Sequence, residues 1–137
     1  MAKRDAIVFD CDEVLLYWVK GFIHYHNEVY HTKVKGVSNY VFNRELGVDG
    51  PTLQKRIDVF NSSWKFGNLK PTDDAVEAIS YLHKNRPDIA KIVVTRCGIG
   101  DCTEQLRLLN LFNVFGIEFT YPFHIISCPL ISRMSST

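Results

Sequence analysis

DAIVFDCDEVLL, residues 5–16, fixes the direction of the reading. Its first half, Asp5 to Asp10, is an apolar run of β-forming residues that ends on a carboxylate. Such a run predicts a buried strand. Ala90 to Thr95 (AKIVVT) has the same character and ends on a hydroxyl, and Phe123 to Cys128 (FHIISC) is a third run of this kind. Continuous apolar runs of this length suit a sheet covered on both faces, and therefore parallel strands.

Helices fit between the runs. Thr72 reads as a cap before Asp73 and Asp74, followed by apolar residues at Ala75, Val76, Ala78, Ile79 and Leu82, with Pro87 as the stop. The acids lie at the positive end of that helix. A second helix is predicted from about Asp101 to Phe112, with Leu106, Leu108, Leu109 and Phe112 as its apolar positions and Gly116 beyond its end. Strand, helix, strand, helix, strand in this order gives right-handed βαβ crossovers and an α/β fold.

One interval is too long for a simple crossover. Asp10 and Ala90 are 80 positions apart, whereas a βαβ unit takes roughly 30 residues in all. The excess reads as three short helices, at about Trp18 to His31, Asn39 to Leu46 and Thr52 to Ser63, broken at Gly36, at residues 47–51 and at Gly67. The predicted division is an α/β core at 1–16 and 69–137, with a helical cap at 17–68. An insertion placed directly after the first strand overhangs that strand's C-terminal end, which is where open α/β sheets bind ligands.

Composition narrows the function. Hydrophobic residues make up 46% of the 137-residue chain and charged residues 23%, as in an ordinary globular protein. A formal net charge of +1 supplies no global field for a nucleic-acid polymer or an anionic membrane. The N-terminal apolar run, Ala6 to Phe9, is too short for a signal-peptide core or a membrane span. Cys11, Cys97, Cys102 and Cys128 form no Cys-x-x-Cys pair, so reduced thiols and a cytoplasmic location are expected.

Asp10-Cys11-Asp12 is the strongest chemical signal. Two acids at i and i+2, where the chain leaves a buried strand, can converge on one hard cation. Mg²⁺ takes oxygen ligands of this kind, with substrate phosphate and water completing its shell. A carboxylate beside such a metal can attack phosphorus, and a second can pass a proton to the leaving oxygen. The plainer reading is a solvated turn. Thr95-Arg96 ends the second strand, and adjacent parallel strands bring their C-terminal ends together. There the hydroxyl and the following N–H groups could cradle a phosphate, with Arg96 adding a charge-assisted contact. The plainer reading is a Thr closing a strand and an Arg reaching solvent.

Taken together, these residues resemble the haloacid dehalogenase-like phosphatase superfamily. Its first motif, an apolar strand followed by Asp-x-Asp-x-Thr/Val-Leu, is matched by IVFDCDEVLL, Ile7 to Leu16; its second is matched by IVVT, Ile92 to Thr95. Phe66 to Leu82 looks like the return from cap to core in small nucleotidase-like members. The resemblance implies a three-layer Rossmann-like core with a helical cap. It implies Asp10 as nucleophile and Mg²⁺ ligand, Asp12 as general acid/base with its backbone carbonyl on the metal, and Thr95 on the transferring phosphoryl group. The expected substrate is a small phosphate ester such as a nucleoside monophosphate. Two departures stand out. Glu13 occupies a position where many members have Gly, and no Lys follows Lys91 and no acid follows Glu118 to supply the third and fourth motifs. Arg133 is the one cation after the third run. The expectation is a core lacking its last strand or strands, whose open sheet edge invites dimerisation. The alternative is a non-catalytic protein that binds a phosphate ligand or a protein partner.

Other signals read as structural. His24 and His31 share a helical face, but His26 lies about 200° from His24, so the three do not form a metal cluster. Phe22, Tyr25 and Val29 lie on one face and read as cap core. Trp18 or Trp64 could stack on a base instead, and Lys33, Lys35, Lys55, Arg56, Lys65 and Lys70 give the cap a basic bias that could steer a phosphate ester.

Overall fold

A computed structural model describes residues 5–36, 43–95, 101–116 and 123–127. Three strands form a parallel sheet in the order β1-β2-β3: β1 is Ala6–Asp10, β2 is Ala90–Thr95 and β3 is Phe123–Ser127. Ala6 pairs with Ala90 and Asp10 with Val94; Lys91 pairs with Phe123 and Thr95 with Ser127. The parallel α/β arrangement read from the apolar runs is therefore present.

The helices are α1 (Trp18–Tyr30), α2 (Asn43–Leu46), α3 (Gly50–Asn61), α4 (Ala75–Asn85) and α5 (Asp101–Phe115), with a 3-10 segment at Trp64–Asn68. Asp49 caps α3 by accepting from the Thr52 N–H at 2.7 Å, and a proline sits in the first turn, as its fixed φ favours. Gly116 ends α5 at φ 87°, its N–H donating to the Phe112 carbonyl at 2.8 Å.

Four expectations are corrected. Thr72 does not cap α4: its hydroxyl donates to the Val14 carbonyl at 2.6 Å, and Asp74 enters the helix in the left-handed region at φ 67°. The chain reverses there, and Thr72 is taken up by the neighbouring loop. Second, the sheet is not covered on both faces by the described residues, since Val8 is 61% exposed. Two right-handed crossovers that step in one direction, β1 to β2 to β3, put their helices on the same face. Indeed α4 and α5 touch each other. Third, α5 buries Thr103, Arg107, Asn110, Leu111 and Phe115, while Leu108, Leu109 and Phe112 are exposed. Fourth, Val29 is exposed, and His26 is buried in its stead beside Phe22 and Tyr25.

Residues 18–68 leave and rejoin the sheet at one place. The Tyr17 N–H donates to the Lys70 carbonyl at 2.8 Å, and the Thr72 N–H to the Leu15 carbonyl at 2.9 Å. Outgoing and returning chain thus lie side by side, and Leu16 bridges Pro71 antiparallel. Asn110 on α5 clamps the return: its carbonyl accepts from the Leu69 N–H, and its amide donates to the Leu69 carbonyl, both at 2.9 Å. Within the excursion, Trp18 stacks on Phe22 at 5.2 Å, and Phe60 meets Phe22, Tyr25 and Phe66. Gly21 permits the close approach of α1 to Leu69, because a Cβ there would collide with that side chain.

Candidate active site

The C-terminal end of β1 carries Asp10. Its side chain is exposed, and its Oδ1 accepts from the Cys11 N–H at 2.8 Å. Beyond it the chain tightens at once, with the Leu15 and Leu16 N–H groups both donating to the Cys11 carbonyl at 2.9 and 3.1 Å. Asp12 forms a bridge with Leu16 inside this turn. Because β1 and β2 run in register, Val94 lies opposite Asp10 and Thr95 one step beyond it. Parallel pairing therefore brings Asp10 and Thr95 to the same end of the sheet. Thr95 is 3% exposed. Arg96 lies outside the described residues, as does Arg133.

Asp12 is held from below. Arg107 Nη1 on α5 lies 2.8 Å from Asp12 Oδ1, and the same nitrogen donates to Cys11 Sγ at 2.7 Å. Arg107 is 1% exposed, and Phe66 covers its guanidinium at 4.4 Å. Burial raises the Asp12 carboxyl above its ordinary value. Arg107 pulls the other way, and the nearby charges of Asp10 and Glu13 add to the rise. A carboxyl that keeps its proton to higher pH suits a group that must donate one.

Glu13 turns away from this pair. Its Oε1 accepts from the Val19 N–H at 2.6 Å, in the first turn of α1, where Tyr17 provides no side-chain cap. A carboxylate there satisfies an orphan donor and meets the positive end of the helix. The Glu13 backbone sits at φ 64°, the region that favours glycine.

Asp10 and Asp12 are the donors a divalent cation would use, two hard oxygen groups in one loop, which fits Mg²⁺ with water or phosphate filling its other positions. Among the described residues no group of three or more His, Cys, Asp or Glu could hold a metal ion.

Leu106, Leu108 and Leu109 phase the predicted helix so that Arg107 does not stand out as an inward residue. Thr103, Arg107 and Asn110 recur at helical spacing with Leu111 and Phe115, and that mixed stripe is the signal that points inward.

No known family's sequence profile matches this chain, and no curated protein sequence matches it. Among the described residues no helix is long and apolar enough to cross a membrane.

Proposed function

We propose that this chain is a Mg²⁺-dependent phosphomonoesterase of the haloacid dehalogenase-like type, acting on a small phosphate ester such as a nucleoside monophosphate. One observation supports the reading: Asp10 ends β1 and Asp12 follows in the next turn, at the same C-terminal end of the parallel sheet as Thr95, where open α/β folds take ligands. On this reading, residues 1–16 and 69–137 are a Rossmann-like core that lacks its last strand or strands, and 17–68 are its cap. The location is cytoplasmic, and the open sheet edge is where a second copy would pair.

Asp10 attacks phosphorus in line, the ester oxygen leaves with the proton that Asp12 donates, and an aspartyl-phosphate forms. Water then attacks that phosphorus while Asp12 takes its proton, releasing phosphate and restoring Asp10. Thr95 binds the phosphoryl oxygens. A bound Mg²⁺ would neutralise charge on the phosphoryl group. Glu13, tied to α1, adds no ligand.

A second reading has its own observation. Arg107 compensates Asp12 with a permanent cation, as in a protein that binds phosphate without turning it over. Hydrolysis of p-nitrophenyl phosphate and of nucleoside monophosphates with Mg²⁺ separates the two. The enzyme reading expects turnover that Asp10→Asn abolishes and Asp12→Asn lowers by about 10²-fold or more. Equal turnover by wild type and Asp10→Asn removes the nucleophile. No turnover by either, with phosphate still bound, selects the second reading.

A further inference from the structure

A groove of about 680 Å³ opens between α1, the 3-10 segment and the returning chain at 68–73. Asp10, Asp12 and Thr95 are not among its walls, so it is a separate place on the molecule. Its size falls in the range of small-molecule sites.

Its lining combines aromatic rings with lysines. Phe60 is buried there, whereas Trp64 is 69% exposed. A large indole left in water gains by being covered, and a planar ring can stack on such a side chain. Lys20, Lys65 and Lys70 line the groove together with two acids, Glu28 and Asp73. Lys65 is committed to Glu28 at 2.9 Å, which neutralises both. Lys20 lies over the Tyr17 ring at 4.0 Å, and neither it nor Lys70 has an ion pair among the described residues. His24, also in the lining, has a largely exposed side chain. Asp73 also lacks an ion pair among the described residues, so the free charge of the groove is two lysines against one carboxylate, net positive beside an exposed ring.

We propose that this groove binds a planar aromatic ligand carrying an anionic group of the phosphate class, its ring on Trp64 and its anion on Lys20 and Lys70. The assignment is independent of the phosphatase reading. A lone anion would find the lysines but leave the indole wet, and a neutral ring would leave the lysines uncompensated.

The test titrates the full chain with adenosine 5′-monophosphate, following tryptophan fluorescence without divalent cations, alongside adenosine and inorganic phosphate. The expected result is saturable quenching by the nucleotide below about 1 mM, with at least tenfold weaker response to either fragment. Trp64→Leu should abolish the quenching, and calorimetry should show that it, Lys20→Ala and Lys70→Ala each weaken binding about tenfold or more, a loss typical of a stacked or charge-assisted contact. Lys84→Ala, an exposed lysine outside the groove, should leave binding unchanged. All three test positions are partly or fully exposed, so the variants are expected to fold. Nucleotide binding that survives the Trp64 and lysine changes overturns the proposal, as does equal binding of adenosine or phosphate alone. So does an absence of saturation, or self-association at the same concentrations that Trp64→Leu removes, which would assign the groove to a second copy.

Discussion

Arg107 concentrates the energetic risk of this molecule in a single side chain. A guanidinium with 1% exposure costs several kcal/mol to bring out of water, and it persists only where partners repay that cost. Asp12, the Cys11 sulfur and the Phe66 ring are such partners. Arg107→Leu is therefore expected to destabilise the fold by about 3 kcal/mol, read as a lower urea midpoint at unchanged slope. The double variant with Asp12→Asn should lose less than the two single losses added together, because a pair in contact is not additive. Full additivity would show that the two groups do not stabilise each other. At this scale the sequence was only partly legible. Asp10, Asp12 and Thr95 stand at strand ends because β-forming runs deliver them there, and alternation and length can be read without coordinates. Arg107 could not be found in that way, since its role depends on a contact with a residue 95 positions away. The positive φ of Glu13 was equally hidden: a glutamate advertises nothing about a left-handed backbone.

Among the elements, the junction of the excursion with the sheet carries the most information. Asn110 satisfies both backbone groups of Leu69 from inside the protein. Replacing it by alanine leaves a buried N–H and a buried C=O without their partner. The expected loss is about 2–4 kcal/mol, measured by urea unfolding. Asn110→Asp should rescue only the N–H contact and place a carboxylate beside the Leu69 carbonyl. A loss under about 0.5 kcal/mol for Asn110→Ala would show that the clamp is ornamental. The helices were legible in outline: residues 47–51 read as a break, yet Asp49 caps α3, which opens at Gly50, and Gly116 closes α5. The sequence places the inner face of α5 on Leu106, Leu108, Leu109 and Phe112, whereas Leu111 and Phe115 turn inward together with three polar residues. Burial went to Thr103, Arg107 and Asn110, which have polar work to do against the loop and the return.

Across the whole molecule, acid sensitivity gathers on the excursion. His26 is buried, its Nδ1 next to the Thr32 hydroxyl at 2.9 Å and its Nε2 next to Arg56 Nη1 at 2.8 Å. The Arg56 nitrogen must donate, so the imidazole accepts through Nε2 and stays neutral. Burial first, and the Arg56 charge second, hold its pKa below the ordinary 6.5. The unfolded chain then takes up a proton that the folded chain refuses. Stability is therefore full above pH 6.5 and falls as the pH drops from there through the lowered folded value. Urea midpoints between pH 7.5 and 5 should show this decline, and His26→Gln should flatten it in that window. A decline of equal slope in the variant would place the titrating group elsewhere. The three parallel strands followed from three apolar runs separated by helices, whereas their register and the one-sided covering by the described residues did not. A continuous apolar run says that both faces can be buried, not which described helices lie against them, and Val8 stands in solvent.

Phe66 belongs to the excursion and Arg107 to a core helix, and the ring lies over the guanidinium. The excursion is thus a dielectric shield for the ion that steadies Asp12. Lifting that ring by an ångström or two would admit solvent, and the attraction between the charges would drop severalfold as the surrounding medium approached water. The electrostatic state of the turn after β1 is in this way governed by how firmly a segment more than 50 residues downstream is seated.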